Sequence, residues 1–330
     1  MTCSSSPLPL VGRDQGWGAS HFVAATSRKE VQEFSSGTMP LRDILLALVV
    51  VTVWGINFVF IRWGVEAVPP LFMTALRYVA AVVPAVFFVR RPDVPLSILV
   101  GYGLAIGVAQ FGLLFTAISL GMPSGLASLI MQVQAFFTFG LAILFLGERI
   151  NRFQLIGAVI AFGGIAVIAT ERLELQLLLP LLMCVLSAFF WGLANIVTKK
   201  AGRIDMFAFV VWSSLVPPIP LFALSMLVEG PAAVFDGLVN INGLGLASIA
   251  FNGYAATLIG FGLWSVLLAR HPAATIAPFS LLVPVAGMVS AALLLGESIS
   301  GLELAGSVLV FAGLLVNVFG PRLRARLRTA

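Results

Sequence analysis

Leu146-Gly147-Glu148 returns 149 positions later as Leu295-Gly296-Glu297, and Trp54-Gly55 returns 137 positions later as Trp191-Gly192. The sequence between these repeated motifs is almost entirely apolar. A hydrophobic pattern that occurs twice in one chain is typical of membrane proteins built from two structural repeats. The sequence therefore predicts two related halves.

The composition indicates a chain whose solvent is lipid. Its 330 residues are 60% hydrophobic and only 10% charged, whereas a soluble domain is about a quarter charged. The net charge of +5 does not indicate a nucleic-acid partner, because the basic residues form short clusters between apolar segments. Such clusters set the orientation of a protein in the lipid bilayer.

Apolar segments of roughly 20 residues are long enough to cross a bilayer. The sequence predicts an all-α membrane protein with ten such helices, at about 43–62, 70–89, 97–118, 124–146, 152–169, 177–198, 206–228, 244–268, 273–295 and 301–319. We expect four regions: a disordered polar tail (1–39), a first five-helix repeat (40–170), a second five-helix repeat (171–320) and a basic cytoplasmic tail (321–330). Met39 precedes the first span, and one hypothesis is that translation begins there.

The positions of lysine and arginine predict the orientation. With the N-terminus in the cytoplasm, only Arg62 and Arg172 of the 19 basic residues lie outside and Arg77 lies within a span, which leaves sixteen in cytoplasmic segments. This bias follows the positive-inside rule. Both termini are therefore expected to be cytoplasmic in the cell inner (plasma) membrane.

An odd number of helices per repeat has a consequence for symmetry. With five helices in each half, the second half must start from the opposite side of the membrane. We therefore expect inverted repeats, the arrangement that allows alternating access to one central site. Two further sets match at the offset of 149 positions. Thr138 and Ala142 correspond to Gly287 and Ala291, small residues suited to close helix packing in lipid. Asn151 with Gln154 corresponds to Ser300 with Glu303, and both are capping-box patterns.

Several stretches carry a resemblance to a known family: Val53-Trp-Gly-Ile-Asn-Phe58, Gly121-Met-Pro-Ser-Gly-Leu-Ala-Ser128, Gln134-Ala-Phe-Phe-Thr138, Leu281-Leu-Val-Pro-Val285 and Ser290-Ala-Ala-Leu-Leu294. Over residues 40–320 the chain resembles the EamA branch of the drug/metabolite transporter superfamily. The resemblance implies a ten-helix inner-membrane exporter of amino-acid metabolites such as cysteine or O-acetylserine. The tail before Met39 has no counterpart in that pattern.

Arg77 is the clearest polar residue inside a predicted span. Charged groups within the membrane usually face the interior of the helix bundle or a cavity. One interpretation is that Arg77 faces a central cavity and binds a substrate carboxylate. The alternatives are that it extends to the outer headgroups or holds helices together.

Two tryptophan–asparagine pairs are further candidates for substrate binding. Trp54 and Asn57 are three residues apart, and Trp191 and Asn195 are four apart, so each pair shares one face of its helix. An amide offers both donors and an acceptor to a zwitterion. Simple packing, or hydrogen bonding between helices, is the alternative for all four.

Glutamines provide the remaining candidates. Gln110 lies in the middle of the third span, and Gln132 and Gln134 lie in the fourth. Because Gln132 and Gln134 differ by about 200° around an α-helix, we expect only one of them, Gln134, to face the pathway together with Gln110. Core packing is the expected role of Tyr254 and Thr257.

The two glutamates of the repeated Leu-Gly-Glu motifs end the fourth and ninth helices. An acid at a helix C-terminus opposes the helix dipole, so a neighbouring group must compensate. Arg149 is a candidate beside Glu148. We expect structural roles for Glu148 and Glu297, with proton coupling as the alternative.

Other classes of protein lack support in the sequence. An intramembrane enzyme would need a catalytic motif such as HExxH or GxSxG, which are absent. Two distant cysteines and two distant histidines predict no metal site, and no cofactor is expected. A scaffold or receptor would not need an inverted repeat. Within transporters, an exporter or importer of other small amphipathic metabolites or drugs remains the alternative, and the oligomeric state is open.

Overall fold

The computed structural model describes residues 39–148, 152–174, 177–202 and 204–329, and every regular element in these ranges is helical. The predicted tail up to residue 38, Arg149 with its expected compensating role, and Asn151 of the first capping-box pattern lie outside the described residues. The chain divides into two compact units, Met1–Ile44 and Leu45–Ala330. The packing described below concerns the second unit.

Ten apolar segments follow the predicted order. They are α1 (Leu41–Ala67), α2 (Pro70–Ala85), α3 (Leu96–Ser119), α4 (Ser124–Leu146), α5 (Arg152–Glu174), α6 (Leu178–Ala201), α7 (Met206–Val228), α8 (Gly243–Arg270), α9 (Ala277–Leu295) and α10 (Gly301–Thr329). Within the described ranges, nine of them are long and apolar enough to cross a membrane. The tenth, α2, has 16 residues.

Some segments depart from the simple pattern that hydropathy predicts. The second helix was expected over 70–89, but α2 ends at Ala85. Pro84 lies in its last turn and cannot donate to the carbonyl of Ala80. An unpredicted short helix, Pro231–Val239, connects α7 to α8. The residues expected to form a tail after position 320 continue α10 as far as Thr329.

The surface of the bundle is apolar, as expected for helices in contact with lipid. Leu227 is 82% exposed and Leu293 is 78% exposed. In water such a surface would be unfavourable, whereas in a bilayer it meets hydrocarbon.

Glycines allow several helices to approach closely. A Cβ at Gly287 of α9 would lie 2.6 Å from the Cβ of Ser128 in α4, and one at Gly55 of α1 would lie 2.5 Å from the Cβ of Ala286. The predicted close packing around Gly287 is therefore present. Gly192 of α6 packs similarly, with its Cβ position 3.0 Å from the backbone nitrogen of Thr138 in α4.

The repeated Leu-Gly-Glu motifs end α4 and α9 in the same way. Gly147 and Gly296 both have φ = 66°, the left-handed conformation that commonly ends a helix and that glycine adopts without strain. Each glycine therefore stops its helix and leaves the following glutamate beyond the helix end.

Candidate transport site

A cavity of about 140 Å³ lies among the helices of the second unit. Its lining combines aromatic, aliphatic and polar side chains from α1, α2, α3, α4, α6, α8 and α9. They are Trp54, Asn57, Phe58, Ile61, Arg77, Tyr102, Ile106, Gln110, Phe111, Leu114, Met131, Gln132, Gln134, Trp191, Ala256, Phe261, Ser280 and Val283. Six of the seven residues predicted for the site are in this lining, and Asn195 is not.

Arg77 is the one charged residue among those that line the cavity. It is 2% exposed, and its Nη2 donates to the Thr257 hydroxyl at 3.0 Å. Its Nε and Nη1 have no hydrogen-bond partner among the described protein atoms. Buried donors without a partner are costly, and a guanidinium can form charge-assisted hydrogen bonds to an anion.

Aromatic rings pack against this guanidinium, and a further hydrogen bond holds its partner Thr257. The Arg77 Cζ lies 3.9 Å from the ring centroid of Phe111 and 5.1 Å from that of Tyr78, which are distances of cation–π attraction. Thr257, which accepts from Arg77, donates to the carbonyl of Asn252 at 2.8 Å. Thr257 therefore has a polar role rather than the core-packing role expected from the sequence.

Trp54 and Asn57 reach the cavity from α1. The Trp54 Nε1 donates to the Ala256 carbonyl at 2.9 Å, and its ring packs against Phe261 and Trp264. This fixes one wall of the cavity. Asn57 is 7% exposed, and its Oδ1 has no hydrogen-bond partner among the described atoms.

Gln110 lies at the end of a π-helical turn, Gly103–Gln110, within α3. It is 1% exposed, and its Nε2 donates to the Ser187 hydroxyl of α6 at 3.4 Å. Ser187 in turn donates to the Gln110 carbonyl at 2.7 Å. The side-chain oxygen Oε1 has no partner among the described atoms.

Gln132 and Gln134 both line the cavity, so the expectation that only one of them faces it is wrong. The reason is a 3₁₀ turn, Met131–Val133, inside α4. In an α-helix, residues two positions apart differ by about 200°, which is about 160° measured the shorter way around the axis. With three residues per turn, the shorter angle is only about 120°. The tighter turn therefore brings both amides to one side.

Asn195 stands next to the lining and holds part of it. Its Nδ2 donates to Gln134 Oε1 at 2.7 Å and to the Thr138 hydroxyl oxygen at 3.0 Å. Asn195 thus fixes Gln134, as the hydrogen-bonding alternative expected. Trp191, on the same face of α6, lines the cavity.

The two repeated glutamates have different structural partners: Glu297 binds the N-terminus of α4, and Glu148 pairs with a lysine near the C-terminus of α6. Glu297 Oε1 and Oε2 accept from the backbone N–H groups of Ser124 and Gly125, at 2.7 and 2.9 Å. A carboxylate at the N-terminus of α4 is favourable for the helix dipole, so the missing compensation for Glu297 comes from another helix. Glu148 pairs with Lys199 of α6 at 2.9 Å.

Sequence reasoning missed Phe111 and Tyr102, which also line the cavity. Nothing distinguishes them locally from the other aromatic residues of a chain that contains 26 phenylalanines. The capping box of α10 was expected and is present, since Ser300 N donates to Glu303 and Glu303 N donates to the Ser300 hydroxyl oxygen.

In the part of the chain that the structure describes, long apolar helices around an internal cavity define a multi-pass helical membrane protein. The sequence profile of the EamA-like transporter family matches residues 41–170 and 178–319. The chain belongs to this family and is a transporter rather than an enzyme.

Individual relatives agree with this assignment. The chain is 44% identical over 292 residues to a probable amino-acid metabolite efflux pump of Escherichia coli K12, covering 87% of this chain and 98% of that protein. It is 29% identical over 283 residues to a probable terminal-alkyne amino-acid exporter of Streptantibioticus cattleyicolor, with 82% and 91% covered. A solved crystal structure shares the fold, with a TM-score of 0.56, 18% identity, and 83% and 95% of the two chains covered.

Proposed function

We propose that this protein is a secondary transporter that exports amino-acid metabolites, of the kind of cysteine and O-acetylserine, across the inner membrane by alternating access. The observation that carries the proposal is Arg77, a buried guanidinium that lines the cavity with two unpartnered donors. A carboxylate is the anion that every amino acid offers, and a guanidinium binds it through two parallel hydrogen bonds. The names of the 44% identical relatives, probable amino-acid metabolite efflux pumps, support export of amino-acid metabolites.

We further propose that ten helices span the membrane as two inverted repeats. The packing of α5 against α10 supports this symmetry. Gly306 and Gly313 lie 149 positions after Gly157 and Gly164, the same offset that separates the two Leu-Gly-Glu motifs. A Cβ at Gly157 would meet the Gly313 carbonyl oxygen at 2.5 Å, and one at Gly164 would meet the Gly306 carbonyl oxygen at 2.5 Å.

These contacts are what a two-fold relation between the two halves requires, and they support the proposed inverted repeat. Exchanging each residue with its counterpart turns the contact Gly157–Gly313 into Gly306–Gly164, which is the other observed contact. The α1–α9 contact at Gly55 and the α6–α4 contact at Gly192 exchange in the same manner. Two halves related in this way have two similar packings, one open to each side of the membrane.

Charged residues at the two ends of the bundle supply the elements of two gates. At one end Lys199 pairs with Glu148. Their counterparts, Arg62 and Glu297, line one cleft at the other end, where Arg62 pairs with Glu66 at 2.6 Å instead. We propose that this difference between the two ends separates one access state from the other.

The orientation and location of the protein are part of the proposal. The distribution of basic residues supports a cytoplasmic location for both termini, and an exporter of metabolites would act in the inner membrane. The second candidate function, transport of other small amphipathic metabolites or drugs in either direction, is favoured by the aromatic lining of the cavity, which includes Trp54, Trp191 and Phe261.

Reconstitution of the purified chain into proteoliposomes tests these functions. We expect vesicles that contain unlabelled O-acetyl-L-serine to accumulate labelled L-cysteine by counterflow, and unlabelled L-cysteine outside to abolish it. Counterflow with an amphipathic amine and none with amino acids would favour the second candidate. The absence of counterflow with any of these solutes would overturn the transport role of the cavity.

A further inference from the structure

Residues that line the cavity carry unpaired acceptors as well as unpaired donors. Besides the two free N–H groups of Arg77, the side-chain oxygens of Asn57 and Gln110 are buried and have no hydrogen-bond partner among the described atoms. All three residues line the same cavity. Buried polar groups are nearly always paired, so an unpaired set inside one cavity points to a ligand that supplies the partners.

The two acceptors differ from Gln134, another amide of the cavity lining. Gln134 Oε1 already accepts from Asn195 Nδ2 at 2.7 Å, and its capacity is largely used. Gln110 has its Nε2 directed at Ser187 Oγ, 3.4 Å away, which leaves the oxygen end of its amide available. Asn57 and Gln110 are therefore the two lining residues whose buried amide oxygens lack a hydrogen-bond partner among the described atoms.

We infer that Asn57 and Gln110 bind the ammonium group of the substrate, and that the cavity selects free α-amino acids with uncharged side chains. This inference rests on the proposed function. An ammonium group has three donors and no acceptor, so it complements two amide oxygens in the way that a carboxylate complements Arg77. A ligand that carries both groups pairs every one of these four buried atoms.

The charges of the lining set the limit on the side chain. Among the described residues that line the cavity, none is aspartate, glutamate or lysine, and the substrate carboxylate would balance Arg77. A further charge on the substrate side chain would be desolvated without a partner, which is unfavourable. The remaining wall is aromatic and aliphatic and accepts a thiol, an ester or a short apolar group.

Two kinds of analogue separate recognition of the amine from recognition of the carboxylate. O-acetyl-L-serine and N-acetyl-L-serine are isomers that differ in whether the amine is free, and 3-mercaptopropionate is L-cysteine without its amine. We expect N-acetyl-L-serine and 3-mercaptopropionate to compete with labelled L-cysteine about tenfold less well than O-acetyl-L-serine does, because each loses charge-assisted hydrogen bonds to buried acceptors. Equal competition by all three compounds would overturn the inference while leaving the transport function intact.

Variants assign the effect to the two amides. Asn57→Leu and Gln110→Met should weaken L-cysteine binding and bring the ratio between L-cysteine and 3-mercaptopropionate close to one. Asn317→Leu is the matched control, because Asn317 is as buried as Asn57, at 8% against 7% exposed, but lies outside the cavity lining. A preserved ratio in both cavity variants would overturn the assignment.

Binding should be measured separately from flux, by quenching of tryptophan fluorescence in detergent, since Trp54 and Trp191 line the cavity. Selective binding of free amino acids without flux supports the inference and overturns the proposed transport function. Flux without selectivity for the amine does the reverse. Because the ranking of analogues is obtained with the unmodified protein, the test holds even where a variant folds poorly.

Discussion

The guanidinium of Arg77 lies over the ring of Phe111, with Cζ 3.9 Å from the ring centroid. Phe111 belongs to α3 and Arg77 to α2, and Thr257 of α8 accepts a hydrogen bond from the same guanidinium at 3.0 Å. At 2% exposure, Arg77 does not extend to the headgroups, which removes one of the interpretations open from the sequence. Carboxylate binding and a purely structural link between helices are the two roles that experiment must separate.

Substitution of Arg77 distinguishes these two roles. Arg77→Lys should keep the folded yield but lower transport roughly tenfold, because an ammonium cannot reproduce the two parallel hydrogen bonds to a carboxylate. Arg77→Gln should lower it further. The measurement is counterflow of L-cysteine together with the yield of monodisperse protein in detergent.

Two comparisons support the interpretation of those variants. Cysteamine, which is cysteine without its carboxylate, should be affected least by Arg77→Lys, and Arg91→Lys, at an exposed site, should behave like the unmodified protein. Wild-type rates for Arg77→Lys with both compounds would refute carboxylate binding. Loss of folded protein in both Arg77 variants would indicate a structural link.

The α4–α9 contact at Gly287 gives a prediction about folding. Gly287→Leu should lower the folded yield, because even a Cβ there would lie 2.6 Å from the Cβ of Ser128. Overpacking of this kind costs about 1–3 kcal/mol. Thermal unfolding in detergent and expression yield are the readouts.

Glycines without neighbours are the matched controls for that variant. A Cβ at Gly140 of α4 or at Gly163 of α5 would meet no atom within 4 Å. Gly140→Leu and Gly163→Leu should therefore leave the unfolding temperature nearly unchanged. If Gly287→Leu is as stable as these two, the face of α9 at Gly287 does not pack against α4 in the membrane.

The helices and their ends were largely predictable because their signals are local. Hydropathy marks each apolar segment. The Leu-Gly-Glu motifs at Gly147 and Gly296 mark two helix ends, because glycine permits the left-handed conformation there. The capping box at Ser300 has the same local character. The polar residues Arg77, Asn57 and Gln110 were predictable because each stands out against an apolar background.

The parts that sequence could not predict depend on changes in helical winding or on distant partners. The π turn Gly103–Gln110 and the 3₁₀ turn Met131–Val133 alter which residues share a face, and an apolar stretch gives no sign of either. The pairing of Glu297 with the N-terminus of α4 spans more than 170 positions. Such contacts follow from the packing of the helices, not from any pattern along the chain.

Topology is tested by fusions at the C-terminal end. In the proposed topology, the excess of basic residues in the segments expected inside and an even number of spans would place the C-terminus in the cytoplasm. A green fluorescent protein fused after Ala330 should fluoresce, and alkaline phosphatase fused at the same place should be inactive. The opposite result would show that the number of spans is odd or that the chain is inverted, and fusions in the loop at residue 240 would then distinguish the two.

The ion pair between Glu148 and Lys199 predicts a charge-reversal experiment on the access states. Both side chains are nearly half exposed, at 47% and 43%, so the pair contributes only about 0.2–1 kcal/mol. Glu148→Lys and Lys199→Glu each place like charges together at this end of the bundle and destabilise the closed arrangement of α4 and α6. Each single variant should therefore change the counterflow rate by roughly two- to fivefold while leaving the folded yield unchanged.

The double variant Glu148→Lys/Lys199→Glu restores an attractive pair with the charges exchanged. It should recover most of the wild-type rate, because the pair acts through attraction between the two helices and not through either residue alone. Access to the cavity gives an independent readout: a cysteine introduced at Ala256, which lines it, should react faster with an impermeant maleimide applied from the Lys199 side in each single variant than in the double variant. Equal rates and equal labelling in all four proteins would exclude this pair as a gate and leave the difference between the two ends of the bundle to the cleft at Arg62.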